Sequence, residues 1–169
     1  MTNLPVLSQT AQGRGCGPCS LCCDLFPVPE LAKDGGSRCE FCSPPDGCAI
    51  HASRPDVCRS FDCAWLKGWE GEEFRPDRAG FFIAGVVRLR GRLGTVAYGL
   101  VDRADEALER LTAYARQTGH PVFFLLPPLP GDLFGGETVV EPDGRQHFTL
   151  APQERFSWRN ARPAGDSVL

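Results

Sequence analysis

Residues 81–126, FFIAGVVRLRGRLGTVAYGLVDRADEALERLTAYARQTGHPVFFLL, decide the fold. The run FFIAGVVRLR (81–90) and the run TVAYGLV (95–101) are apolar, rich in aromatic and β-branched residues, and separated by a short glycine-bearing link, which predicts two strands of a hairpin. A helix follows. Asp102 is the expected N-cap, Asp105 lies near the positive end of the helix dipole, and Ala104, Ala107, Leu108, Leu111, Tyr114 and Ala115 form one apolar stripe at helical spacing. Glu106 and Arg110 are set up as an i,i+4 pair on the other side. Gly119 suits the residue just past the helix, and Pro121 prevents continuation. PVFFLL (121–126) then reads as a short buried strand; where it pairs parallel to the strand before the helix, the crossover is expected to be right-handed.

Downstream, PPLPGDLFGG (127–136) reads as a proline- and glycine-rich loop. Residues 138–141 and 145–150 flank Asp143-Gly144, the signal of a hairpin closed by a type I′ turn. From Ala151 onward the chain is polar and unpatterned, a tail with Phe156 and Trp158 as its anchors.

Upstream the composition changes near Lys67-Gly68. Residues 1–68 are rich in Cys, Pro, Gly and Ser and hold few apolar side chains, a thin core for a segment of that size. All nine cysteines lie here, at positions 16, 19, 22, 23, 39, 42, 48, 58 and 63, and none follows Cys63. Over the 169 residues, 18 Lys+Arg oppose 21 Asp+Glu for a formal charge of −3, so the basic footprint of a nucleic-acid or anionic-membrane binder is missing. No apolar run approaches a bilayer span. Residues 1–12 lack the basic-then-apolar order of an export signal, which leads us to expect a cytoplasmic, reducing environment. There, an odd number of cysteines at short spacing points to metal binding or redox chemistry rather than a disulfide framework.

Cys16-Gly-Pro-Cys19-Ser-Leu-Cys22-Cys23 carries two consecutive two-residue spacings. A tight turn then brings both sulfurs of a pair to one metal, and Gly17-Pro18 supplies turn chemistry. The run also resembles the three-cysteine loop of bacterial ferredoxins, with a distant cysteine needed to complete the site. Adjacent side chains diverge, so Cys22 and Cys23 together imply two metal centres, one multinuclear cluster, or one ligand beside a bystander. Cys16, Cys19, Cys39 and Cys42 alone give C-x2-C-x19-C-x2-C, a zinc-ribbon spacing that stays open as an alternative.

The chain resembles the YkgJ-type family, described as the CxxCxxCC zinc- or iron-chelating domain. The matching motifs are the 16–23 run, Arg38-Cys39, and Gly47-Cys48-Ala-Ile50-His51-Ala-Ser-Arg54-Pro55-Asp-Val-Cys58-Arg59-Ser-Phe61-Asp-Cys63. His51 stands where the family usually has Tyr, and Cys42 where it usually has no cysteine. The resemblance implies eight metal ligands, Cys16, Cys19, Cys22, Cys23, Cys39, Cys48, Cys58 and Cys63, enough for two four-sulfur sites. It implies an iron–sulfur cluster or Zn2+ as the cofactor. It covers residues 16 to about 66 and leaves 69–150 uninterpreted.

Eight thiolates with two divalent ions would make the formal charge more negative by four, and Arg54 and Arg59 flank the downstream ligands as cofactor-side counter-charges. Cys42 and His51 are not expected to ligate. Asp24, Glu40 and Asp62 are expected to be solvated carboxylates, because soft sulfur is abundant. Trp65 and Trp69 are expected as lids over the site or the seam. No triad, P-loop or dinucleotide fingerprint occurs in usable context.

The expected fold is therefore α+β: an irregular cysteine-rich metal-binding region (1–68), a small mixed β-sheet with one main helix (69–150), and a tail (151–169). The expected function is chelation of iron, as an iron–sulfur cluster, or of zinc, with a redox or electron-transfer role. The alternatives are a non-enzymatic zinc-stabilised interaction module or a metal-handling protein, with 69–150 as the surface for a protein partner and neither nucleic acid nor membrane as a partner.

Overall fold

The structure is a computed structural model, and it describes residues 11, 13–89, 91–128 and 134–152; the expected tail, with Phe156 and Trp158, lies outside the described residues from 153 on. In chain order the main elements are helix α1 (Leu21–Leu25), strands β1 (Cys42–Ser43) and β2 (Gly47–Cys48), helices α2 (Asp56–Arg59) and α3 (Pro76–Ala79), strands β3 (Phe81–Leu89) and β4 (Arg92–Gly99), helix α4 (Ala104–Thr118), and strands β5 (Val122–Leu126), β6 (Phe134–Val140) and β7 (Gln146–Pro152). The fold is α+β, as expected: a five-stranded mixed sheet in the order β3-β4-β5-β6-β7, a two-stranded sheet β1-β2, and one main helix.

The strand after the helix returns to the strand before it. β4 and β5 run parallel, with Thr95 opposite Val122 and Tyr98 opposite Leu125, while the other neighbours in the sheet are antiparallel. α4 ends at Gly119, whose φ of 72° places it in the left-handed region and whose N–H donates to Ala115 O at 3.0 Å. Its stripe is core: Ala107, Leu111 and Ala115 are buried, and Ala104, Leu108 and Tyr114 pack against the same cluster.

Four local expectations are corrected. α4 begins at Ala104 after a 3-10 turn over Val101–Arg103, so Asp102 lies in that turn and is not the N-cap. Glu106 pairs with Arg103 at 3.0 Å, while Arg110 donates to Glu73 O at 3.1 Å, because the chain before β3 offers Arg110 an acceptor. Gly135 and Gly136 belong to β6 and not to a loop; the Phe148 ring lies over Gly136, 3.1 Å from where a Cβ would stand. The β6–β7 link is no type I′ turn. Gly144 N–H donates to Glu141 O and Glu141 N–H to Arg145 O, with positive φ at Gly144 and not at Asp143, which is the three-residue loop of a type I turn closed by a glycine bulge.

The strands are apolar on both faces because both faces are covered. Phe81, Ile83, Ala97, Val122, Phe124 and Val140 face α4. Phe82, Ala84, Val96, Tyr98, Phe123, Leu125 and Val139 face the other way, and form one cluster with Leu21, Leu25, Phe26, Phe61, Cys63, Trp65 and Leu66. The period-2 alternation of strands divides the residues between the two layers. The second layer is therefore the cysteine-rich region itself, laid on the sheet. Phe26 is its keystone: the ring meets Phe61, Phe82 and Tyr98 edge-on at 5.0, 5.2 and 5.0 Å. Each such pair contributes about 0.5–1.5 kcal/mol beyond the area it buries. Ala64 N–H to Ile83 O, at 2.8 Å, stitches the two layers through the backbone.

No helix among the described residues is long and apolar enough to cross a membrane.

Candidate metal centre

The first motif folds as a turn running into α1. Gly17 takes a φ of +51°, and Cys19 N–H donates to Cys16 O at 2.9 Å. Leu21 and Leu25, four residues apart, point into the core and fix the rotation of α1, which leaves Cys22 and Cys23 beside each other on its flank. Cys39 is drawn in by its N–H, which donates to Cys23 O at 3.1 Å. The β1–β2 pairing sets Cys42 opposite Cys48. Gly47, with φ +84°, lies so close to the first motif that a Cβ there would stand 2.9 Å from Gly17 O, so glycine is what lets the two loops meet. Pro55 opens α2, which carries Cys58, and Cys63 is buried against the sheet.

The result is a cavity of about 420 Å3 whose lining includes Cys16, Cys19, Cys22, Cys23, Cys39, Cys48, Cys58 and Cys63, with Phe26, Val57, Phe61 and Trp65 among its apolar walls. All eight cysteines that the resemblance implies line this space. Cys42, buried in β1, does not. All nine are free thiols. Among the described residues no three His, Cys, Asp or Glu side chains are drawn up as a ready coordination group; the sulfurs stand around a space rather than around a point.

Their electrostatics show who neighbours whom. Burial pushes the Cys19 thiol up to about 11, with the negative charges of Cys63 and Cys16 adding to the effect and the Leu21 amide opposing it. Burial likewise raises Cys63, against the pull of the Leu66 and Trp65 amides. Burial raises Cys16 too, against the guanidinium of Arg54, which hydrogen-bonds it. Cys58 is raised to about 11 by burial and by the nearby sulfurs of Cys23, Cys39 and Cys48. Cys22 donates its S–H to Cys23; this bond and burial hold Cys22 well above the usual thiol range, and the same bond brings Cys23 down to about 6. Cys63 thus lies near Cys16 and Cys19, and Cys58 near Cys23, Cys39 and Cys48, while Cys16 also faces Cys23 and Arg54 acts on both Cys16 and Cys58, so the sulfurs ring one space with the vicinal pair among them.

The other candidates divide. Arg54 lines the cavity and touches both Cys16 and the ring of His51, another lining residue. Arg59 does not line it; it pairs with exposed Asp56 on the surface of α2. Asp24 is held by Arg38 at 2.7 Å, and Glu40 is exposed, but Asp62 is buried at 6% exposure rather than solvated. Trp65 is a wall of the cavity, its ring flanked by the Arg14 and Arg75 guanidiniums at 5.1 and 5.6 Å, whereas Trp69 is half-exposed under Lys67. Sequence reasoning missed Lys33, a buried lysine whose ammonium donates to the carbonyl of Phe26, a residue of the cavity lining. Its signal was composition: the chain has only two lysines, Lys33 and Lys67, and both fall in the cysteine-rich region.

Comparison with known proteins finds no match to the chain, whether among family models, curated proteins or solved structures.

Proposed function

We propose that this chain is a metal-binding protein whose eight cavity-lining cysteines hold iron as iron–sulfur centres, with a redox or electron-transfer role. The observation that carries the reading is that eight thiols, from positions 16 to 63, line one cavity without a disulfide among them. The donor set suits the group. Iron–sulfur clusters are held by thiolates, and backbone N–H groups aimed at the sulfurs tune them. Here the Leu21, Trp65 and Leu66 amides are aimed at Cys19 and Cys63. Cys16, Cys19 and Cys22 would supply three thiolates from one loop, with Cys63 as the remote fourth. Cys23, Cys39, Cys48 and Cys58 would form the second set. A cluster held there would supply one-electron chemistry, and the apolar walls would limit water at the sulfurs.

The loop that carries Cys16, Cys19 and Cys22 favours a polynuclear centre, because its consecutive two-residue spacings resemble the three-cysteine run of bacterial ferredoxins. Purification without oxygen tests the reading: a brown protein with iron and acid-labile sulfide supports it, and a colourless protein with stoichiometric zinc replaces it.

Zinc as a structural staple is the second reading. It is favoured by the shortness of the elements in the cysteine-rich layer, where no helix among the described residues exceeds the five residues of α1. Under it the protein is a non-enzymatic module.

A further inference from the structure

The small sheet sets two cysteines face to face. Cys42 of β1 lies directly opposite Cys48 of β2 in an antiparallel pair. One step out, Ala49 N–H donates to Phe41 O at 2.8 Å. Hydrogen-bonded and non-hydrogen-bonded pairs alternate along such a ladder, so 42 and 48 are a non-hydrogen-bonded pair, whose Cα atoms stand about 4.5 Å apart with their side chains close on one face. A disulfide asks for Cα atoms roughly 4.4–6.8 Å apart. The backbone register thus holds these two residues at bridging distance, and both are free thiols.

Their surroundings differ. Cys48 is half-buried and lines the cavity. Cys42 is buried, shares a hydrogen bond with Cys23, and is the cysteine left out of the lining. Ser43, Pro44, Pro45 and Asp46 between the two are exposed, as is Ala49 after them, so the pair lies at the surface within reach of a small solute.

We infer that Cys42 and Cys48 are a redox modification site: in the metal-free chain a low-molecular-weight disulfide oxidises them to a Cys42–Cys48 bridge, which takes Cys48 away from the other cavity sulfurs. The deprotonated Cys48 sulfur attacks one sulfur of the small disulfide, whose S–S bond breaks to release one thiol and leave the other half on Cys48. Cys42 then loses its proton, its sulfur attacks Cys48 Sγ, and the second small thiol leaves. The two protein thiols are oxidised by two electrons, the small disulfide is reduced by two, and the two protons end on the released thiols. The pairing rests on the register; its consequence for metal rests on the metal-binding reading above.

The test starts from reduced, metal-free protein, treated anaerobically with one equivalent of oxidised glutathione and then alkylated. Cleavage at Asp46, which lies between the two cysteines, followed by tandem mass spectrometry should find one dominant bridge, joining Cys42 to Cys48. In a titration with Zn2+ against a chromophoric chelator, the bridged protein should bind more weakly than the reduced one by at least the roughly 10-fold that losing a mere outer-shell partner costs, and dithiothreitol should restore the affinity. Cys42→Ser should stop at the glutathione adduct on Cys48. The mapping needs the wild type alone, so it decides the pairing even if that variant does not fold. A dominant bridge elsewhere, Cys23 to Cys42 above all, or no bridge, overturns the inference. So does a bridged protein that binds zinc within twofold of the reduced one, or a Cys42→Ser variant that bridges Cys48 to another cysteine as readily. A reduced wild type that takes up no zinc overturns the metal reading and the consequence for metal with it, and the mapped bridge tells that failure apart from a failure of the pairing.

Discussion

Cys42 separates the two ligand sets that the sequence left open. It is 4% exposed, lies opposite Cys48 in the small sheet, and shares a hydrogen bond with Cys23, yet it is not part of the cavity wall. Burial, first, and then the charge of Cys23 push its thiol up to about 12, as burial also raises Cys19 and Cys58, so what sets Cys42 apart is its place off the cavity wall. Cys42→Ser should therefore leave the metal content at the wild-type value, whereas Cys39→Ser removes one of four sulfurs from its set and should halve it. The serine is not free of cost. Burying a hydroxyl without full compensation costs about 1–3 kcal/mol, and the bond to Cys23 remains available, so the low end applies. In a chain of this size about 1 kcal/mol lowers the melting temperature by roughly 2–4 °C. Metal analysis after anaerobic purification, paired with a thermal melt, reads both quantities. If Cys42→Ser loses as much metal as Cys39→Ser, Cys42 is a ligand, the zinc-ribbon spacing regains its force, and the eight-cysteine assignment fails.

Leu111→Ala, at a fully buried position of α4 against the sheet, should destabilise the fold by about 2–5 kcal/mol in a denaturant titration, and a loss below 1 kcal/mol would contradict the packing described. Gly36→Ala should cost on the order of 1–3 kcal/mol, because its φ is +75° and a Cβ would stand 2.3 Å from Pro128 O; a neutral effect would show that the layers do not meet there. Burial, aided by the charge of Glu70, pushes the Tyr114 phenol up to about 12 from 10.0. The folded state thus holds the proton more tightly than the unfolded chain, and this contribution is full below pH 10 and lost as pH rises through about 12. In a Tyr98→Phe background, which leaves Tyr114 as the lone tyrosine, tyrosinate absorbance should show a midpoint near 12, and a midpoint near 10 would refute the burial.

The sheet and its helix were legible because their signals are local. The continuous apolar runs of β3 and β5 mark strands covered on both faces, and the stripe of α4 with Gly119 at its end marks a helix and its stop. What was not legible depends on contacts far along the chain. Gly135-Gly136 has loop composition, and it is strand because Gly136 pairs with Leu126 of β5 and Leu150 of β7, and Gly135 with Ala151. Arg110 was matched to the partner its helix offered, but tertiary structure supplied Glu73 O instead. At the candidate centre, spacing marked the cysteines as a group, and the family resemblance, not the spacing, set Cys42 aside. It could not assign neighbours to them, since Cys63 comes beside Cys16 and Cys19 only because Phe61 and Trp65 are seated on the sheet. Lys33 escaped for the same reason: its burial is made by a turn whose own sequence carries no chemistry.

The cysteine-rich half has a thin apolar complement of its own, the composition in which bound metal often replaces a core. The packing changes that argument. The half does have a core, but borrows it: Leu21, Leu25, Phe26, Phe61, Trp65 and Leu66 are buried against Phe82, Tyr98, Phe123 and Leu125 of the sheet. Phe26, Phe61 and Phe82 then serve twice, as part of that core and as part of the cavity lining. Aromatic packing therefore helps to gather the sulfurs, and under the proposed reading a metal bound there would spend less of its free energy on ordering the chain than it does in a zinc finger. The same sharing couples the two ends of the molecule. A substitution that loosens Phe26 from Tyr98 weakens the sheet and widens the cavity together, so stability and metal affinity should fall in step along a series of such substitutions, while those on the α4 face should move stability alone.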